Sequence, residues 1–238
     1  MPSSHVFAFA DPHPYGATIR AAKVEVPPTA KGNFHAELMH INLHRLWLQR
    51  GGESLPRILH GAVNAERSAI EFPIRRDQPA IRYRGIDVSP GEIVIHDTNA
   101  VHRRSFGPSY WGSMSLTPAH LAESGRALVG REMTRPSVMR IVRPATAIMV
   151  RLWQLHEDAA QLAKTAPDRL AQPEVARSLE DALVHVMIHC LTESTAIEMG
   201  SGERNHMAVM SKFEDLGAAD LCERNLRCDG GVRTYAAP

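Results

Sequence analysis

The sequence predicts an α+β fold, a β-barrel or sandwich followed by a helical segment. Two observations carry this prediction. Over residues 34–116, short runs of Val, Ile, Leu and aromatic residues are cut every few positions by Gly, Pro, Asn or Asp, the texture of many short strands. From Thr117 onward, apolar residues recur at intervals of three and four instead, the period of helices buried along one face. With 238 residues, 44% hydrophobic and 22% charged, the chain is long enough to bury a core.

Taken in order, residues 1–33 are punctuated by Pro12, Pro14, Pro27 and Pro28 and read as an N-terminal arm. Residues 38–49 read as one long strand, with Ile41, Leu43, Arg45, Trp47 and Gln49 sharing a face. Strands are expected at 57–63, 68–74, 81–84, 86–88, 92–96 and 110–116. Gly85 and Pro90-Gly91 should mark turns between paired antiparallel strands. Thr117 can cap a helix and Pro118 suits its first position, so helix is expected over 119–129. Ile148, Leu152, Leu155, Ala159 and Leu162 then form one stripe, and Ala176, Leu179, Leu183, Val186 and Cys190 a second. Two striped helices joined by a short link should pack antiparallel. A second copy is the expected cover for Ile148, Leu152, Leu155, Leu179, Leu183 and Val186, which makes 117–198 a helical dimerisation segment. Residues 198–203 read as a hinge and Met207, Met210 and Phe213 as a short helix. No period is visible over 218–238.

A net charge of +1 excludes a strong overall field toward nucleic acid or membrane. No apolar run approaches the ~20 residues of a membrane-spanning helix. The start, Met1-Pro2-Ser3-Ser4-His5, lacks the basic and apolar regions of a signal peptide. The three cysteines, Cys190, Cys222 and Cys228, are odd in number and confined to the last quarter, the pattern of reduced thiols in a cytoplasmic protein.

Thirteen histidines raise the question of a metal, which would need several ligands converging and commonly a His-x-His pair. None occurs. Gly-x-Ser-x-Gly, a phosphate loop and a dinucleotide fingerprint are likewise missing. The expectation is therefore no catalytic residue, no metal and no cofactor, in a chain that is not an enzyme. Trp47, His60, His96 and His102, on or beside candidate strands, are the expected ligand-binding residues. Glu157-Asp158 and Glu180-Asp181 read as solvated helix faces, and Arg75-Arg76 and Arg103-Arg104 as charges guarding strand edges.

The run Gly85…Pro90-Gly91…His96 is similar to the second cupin motif, with Pro-Gly where that motif has Pro-x-Gly. The first cupin motif, His-x-His followed by Glu, has no counterpart. Together with Trp111-Gly112-Ser113-Met114-Ser115-Leu116 and the two striped helices, the strand block resembles the amino-terminal sensing domain of AraC/XylS-type transcriptional regulators. The likeness covers roughly residues 34–216. It implies a cupin-like barrel (34–116) that binds a small-molecule effector, a homodimer formed by the helices, and DNA binding by carboxy-terminal helix-turn-helix units. Ser211-Lys212-Phe213-Glu214-Asp215-Leu216 is similar to the helix that opens the DNA-binding domain, and Asp220-Leu221-Cys222 to the entry of its first helix-turn-helix. From Arg224 the likeness ends, so 199–238 is expected to be a hinge and a remnant, with DNA bound only through a domain missing here. The other class in view is a small cupin-type enzyme or ligand-binding protein with a helical appendage.

Overall fold

The alternation and turn chemistry of the chain build two antiparallel sheets in the computed structural model, which describes residues 1–20, 22–98 and 100–196. The strands are β1 (Ser3–Phe9), β2 (Ala22–Glu25), β3 (Ala36–Asn42), β4 (Trp47–Glu53), β5 (Ile58–Val63), β6 (Ser68–Pro73) and β7 (Ile81–Tyr83). Then follow β8 (Ile86–Val88), β9 (Ile93–Ile95), β10 (Ala100–Arg104), β11 (Ser109–Leu116), β12 (Arg140–Pro144) and β13 (Ser194–Ala196). The helices are α1 (Pro12–Thr18), α2 (Pro118–Val129), α3 (Thr146–Thr165), α4 (Pro167–Leu170) and α5 (Pro173–Thr192). An eight-stranded sheet has the order β1-β3-β4-β11-β6-β9-β12-β13, and a five-stranded sheet the order β2-β5-β10-β7-β8. The two sheets remain separate rather than closing into one barrel. Met1–Tyr83 and Asp87–Ile197 make one compact unit; Arg84–Ile86 group with Glu198–Pro238 in a second, of which only Arg84–Ile86 are described. The expected hinge, short helix and DNA-binding remnant at 199–238 lie outside the described residues.

Most expected strands and helices form, and Thr117 caps α2 by accepting a hydrogen bond from the His120 N–H at 3.3 Å. However, β12 and β13 fall inside the expected helical segment 117–198 and extend the large sheet. Gly85 and Gly91 take φ values of 85° and 102°, which a side chain disfavours, so the turns fall where glycine permits them. One turn differs from expectation. Pro90-Gly91 does not link paired strands; it carries the chain from β8 in the small sheet to β9 in the large one.

Four further expectations need correction. Residues 1–33 are no arm: β1 pairs with β3 from Ser3↔Asn42 to Phe9↔Ala36, and Tyr15 of α1 is wholly buried. The prolines misled because Pro12 sits in the first turn of α1, where no amide hydrogen bond is lost, and Asp11 caps that helix. Residues 38–49 are two strands, since the chain turns at Leu43–Leu46 with Leu43 N–H bonded to Leu46 C=O at 3.0 Å. Glu180 of α5 fixes that turn, accepting from the amides of Arg45 (2.7 Å) and Leu46 (3.0 Å). Glu180 is therefore 2% exposed rather than solvated. Burial pushes its pKa up, but the two amides and the Arg45 guanidinium hold it below the usual carboxylate value.

The helix stripes supply the fourth correction. Leu152, Leu183 and Val186 are buried within the single chain, and Ile148, Leu155 and Leu179 are half-buried against the same cluster. Their cover is the outer face of the large sheet, where Ile41, Leu48, Ile70, Phe72 and Met114 point toward α3 and α5. A wide sheet covers both stripes at once, which helical spacing alone does not reveal. Each leucine so buried contributes about 1.5–3 kcal/mol.

Candidate ligand-binding cavity

Alternation sends the remaining side chains of the same strands the other way. Gln49 of β4, Ser113 of β11 and Glu71 of β6 are register partners on the inner face of the large sheet, and Glu53 of β4 and Trp111 of β11 share that face by strand parity. Leu59 and Val63 of β5 with Val101 and Arg103 of β10 face them from the small sheet. Between the sheets lies a small cavity of about 50 Å³. Gly51 lets the Trp111 indole lie across β4, where a Cβ would overlap it.

Charges cross from sheet to sheet beside the cavity. The Glu53 carboxylate, fully buried, accepts from Arg57 Nε and Nη2 at 2.6 Å each, from Trp111 Nε1 at 2.7 Å and from Ser109 Oγ at 2.8 Å. Tyr15 OH donates to it as well. Burial alone would raise the Glu53 pKa, but the Arg57 guanidinium and this ring of donors bring it below the usual value. Burial, then Glu53, pushes the Tyr15 phenol well above 10. Arg103 continues the chain of charges: its Nη1 pairs with Glu71, and its guanidinium carbon lies 4.9 Å from the centre of the Trp111 ring. His96 Nε2 closes the series at 3.1 Å from Glu71 Oε2. Gln49 engages both amide atoms with the backbone of Arg20, whose side chain joins the cavity wall.

Of the four residues expected to bind ligand, the structure brings His96 to the cavity. Trp47 shares the inner face but stands beside the cavity, with Arg67 3.9 Å and Arg20 5.6 Å from its ring centre. His60 and His102 meet edge to face at 6.0 Å on the other side of the small sheet. They alternate with the inward Leu59, Val101 and Arg103, and strand parity alone takes them off the wall. Arg103 is 2% exposed on a central strand, so it guards no edge. Sequence reasoning missed Arg20, Gln49, Glu71 and Arg103. The available signal was a lone charge inside an apolar strand, as in Ile70-Glu71-Phe72.

Cupin-type barrels raise the question of a bound metal, and the residues present do not fit one. His96 and Glu71 are the cavity's ligating side chains; they are hydrogen-bonded to each other, and a guanidinium sits on Glu71. Among the described residues, no group of three or more His, Cys, Asp or Glu side chains is arranged to hold a metal ion.

No protein-family model matches the chain. No curated protein matches it either. Among solved structures it resembles a conserved Pseudomonas aeruginosa protein of unknown function, at 7% identity and TM-score 0.29, over 40% of this chain and 58% of that one. It also resembles a cupin 2 conserved barrel domain protein from Salinispora arenicola, at 10% identity and TM-score 0.21, over 43% of this chain and 84% of that one. A third likeness is to a mutant of Bacillus subtilis oxalate decarboxylase, at 12% identity and TM-score 0.21, over 47% of this chain and 29% of that one. The chain thus spans just over half of the first of these proteins and under a third of the third. One of these neighbours is a cupin barrel domain protein and another an enzyme, oxalate decarboxylase. The expectation of a chain that is not an enzyme is corrected on that finding. No helix of the described residues is long and apolar enough to cross a membrane.

Proposed function

We propose that this chain is the effector-sensing and dimerisation part of an AraC/XylS-type regulator and that it holds a small molecule between its two sheets. One observation carries the reading: a cavity with apolar walls into which Glu71, His96 and Arg103 are fixed by their bonds to one another. Pre-formed, mostly apolar pockets with a few convergent polar groups are the usual form of small-molecule sites. The segment pattern of the sequence supports the regulator family. A groove between α3 and α5, where Ala147, Ile148 and Ala182 lie among Arg151, His185, His189 and Glu193, is the surface this reading gives to a second copy. In this reading the surface that contacts DNA lies outside the described residues.

The test is a thermal-shift screen of small metabolites against the protein and a Val101→Trp variant, whose indole fills the cavity. A ligand that binds the folded state raises the melting temperature in proportion to its saturation. Compounds that stabilise the parent protein should fail to stabilise the variant. Equal shifts in both would place binding elsewhere and end the proposal. Sedimentation of the parent and an Ile148→Glu variant tests the dimer, which the variant should weaken.

Catalysis in the same cavity is a second reading, favoured by the His96–Glu71 pair, a histidine and a carboxylate in hydrogen-bond contact at a pocket wall. Recovering the bound compound unchanged after long incubation supports sensing; recovering a product supports catalysis.

A further inference from the structure

Resting on the cavity reading above, the charges of the cavity wall define a ligand class: we infer that the cavity takes a small monoanion, a carboxylate carried on a short apolar body. Most of the guanidinium groups around the cavity are matched. Arg57 is held by Glu53, and Arg103 by Glu71. Arg20 is not. Among the described residues its guanidinium makes no ion pair; it donates to the neutral amide oxygen of Asn42 and stands near the Trp47 ring. Losing water without gaining a counter-charge lowers its pKa, consistent with a cation lacking its partner.

Arg103 adds a second free donor. Its Nη2 is buried without a hydrogen-bond partner, and the Glu53 oxygen 3.6 Å away lies beyond hydrogen-bond length. Two guanidinium groups, Arg20 and Arg103, face the one carboxylate of Glu71 at this wall, which leaves a positive charge in excess. A cationic amine would add to that excess. A polyol would need several free acceptors and donors, yet Gln49 has both amide atoms engaged with the Arg20 backbone. The rest of the wall is Val24, Leu59, Val63, Ala69 and Val101, which suits a hydrocarbon body.

Calorimetric titration with the linear carboxylates from acetate to hexanoate, and with their primary amides, separates the outcomes. The best carboxylate should bind at least tenfold more tightly than its amide. Arg20→Gln should cost the carboxylate about tenfold in affinity and leave the amide unchanged. Val101→Trp should abolish binding of both. Amides that bind as tightly as the acids, and lose binding in Val101→Trp, would overturn the monoanion while leaving the cavity reading intact. Binding of neither series to the parent protein, or binding that survives Val101→Trp, would remove both. Should Arg20→Gln fail to fold, the acid-against-amide comparison on the parent protein still decides.

Discussion

The two faces of the eight-stranded sheet are buried to the same degree by opposite means. On β4, Leu48 is fully buried among the aliphatic side chains of α3 and α5, while Glu53 is 1% exposed among Arg57, Tyr15 and Trp111. One face stabilises by apolar area removed from water, a non-directional effect. The other is ordered by directional bonds between charges, which compared with a hydrophobic equivalent are commonly neutral or worse for stability. In the proposed cavity reading, a layer of ion pairs that adds little stability would serve shape and recognition. The aliphatic face is the foundation; the charged face is the part that can be specific.

Breaking the charged face should have the largest effect. Glu53→Gln leaves Arg57 buried without its counter-charge and should lower unfolding stability by about 3–5 kcal/mol in urea titration. The double change Glu53→Leu with Arg57→Met should regain most of that loss; no recovery would show that the pair itself supplies stability. On the aliphatic face, Leu183→Ala should cost about 2–5 kcal/mol through the cavity it leaves, with affinity at the inner face unaltered.

Acid should sharpen the contrast. His156, on the aliphatic side against Phe72, has its pKa lowered to about 3, by burial first and then by Arg50. His40, on the inner face, is lowered to about 4 by burial, then by Arg20 and His5. A folded-state pKa below the unfolded one means that the unfolded chain binds more protons as pH falls. Stability from His156 is therefore complete above about pH 6.5 and is lost progressively toward pH 3, at roughly 1.4 kcal/mol per pH unit. His156→Phe should flatten the slope of stability between pH 6.5 and 4, leaving the His40 contribution. The smallest effect belongs to the exposed pair Lys164–Glu37, at 2.6 Å with both side chains about half exposed. Lys164→Ala should change stability by about 0–1 kcal/mol, within the noise of most unfolding experiments.

Much of the architecture could be read from the chain because it rests on local rules. β5, β6, β7 and β11 begin and end within a residue or so of the expected limits, set by Gly, Pro and Asn at their ends. The site was far less legible. His96 lies at the cavity wall, but Arg103 looked like half of an edge-guarding pair, because sequence does not say which strand is central. Glu180 looked solvated because its partners, Arg45 and Leu46, lie on a turn more than a hundred residues away. The striped helices showed that they needed cover without showing what covers them. Helical and strand periods identify a face; they do not name its neighbour.

The Glu180 contact also bears on the order of folding. The β3–β4 turn has its Arg45 and Leu46 amides satisfied by a carboxylate 135 and 134 positions later in the chain. A hairpin is ordinarily a local, microsecond structure, whereas contacts between distant segments are made late and slow the overall reaction. This hairpin can zip early along its strands, yet its turn is completed only when α5 docks. In a pulse-labelling hydrogen-exchange experiment the Arg45 and Leu46 amides should gain protection together with the amides of α5, after those in the middle of β3 and β4. Protection of the turn ahead of α5 would show that it closes without Glu180.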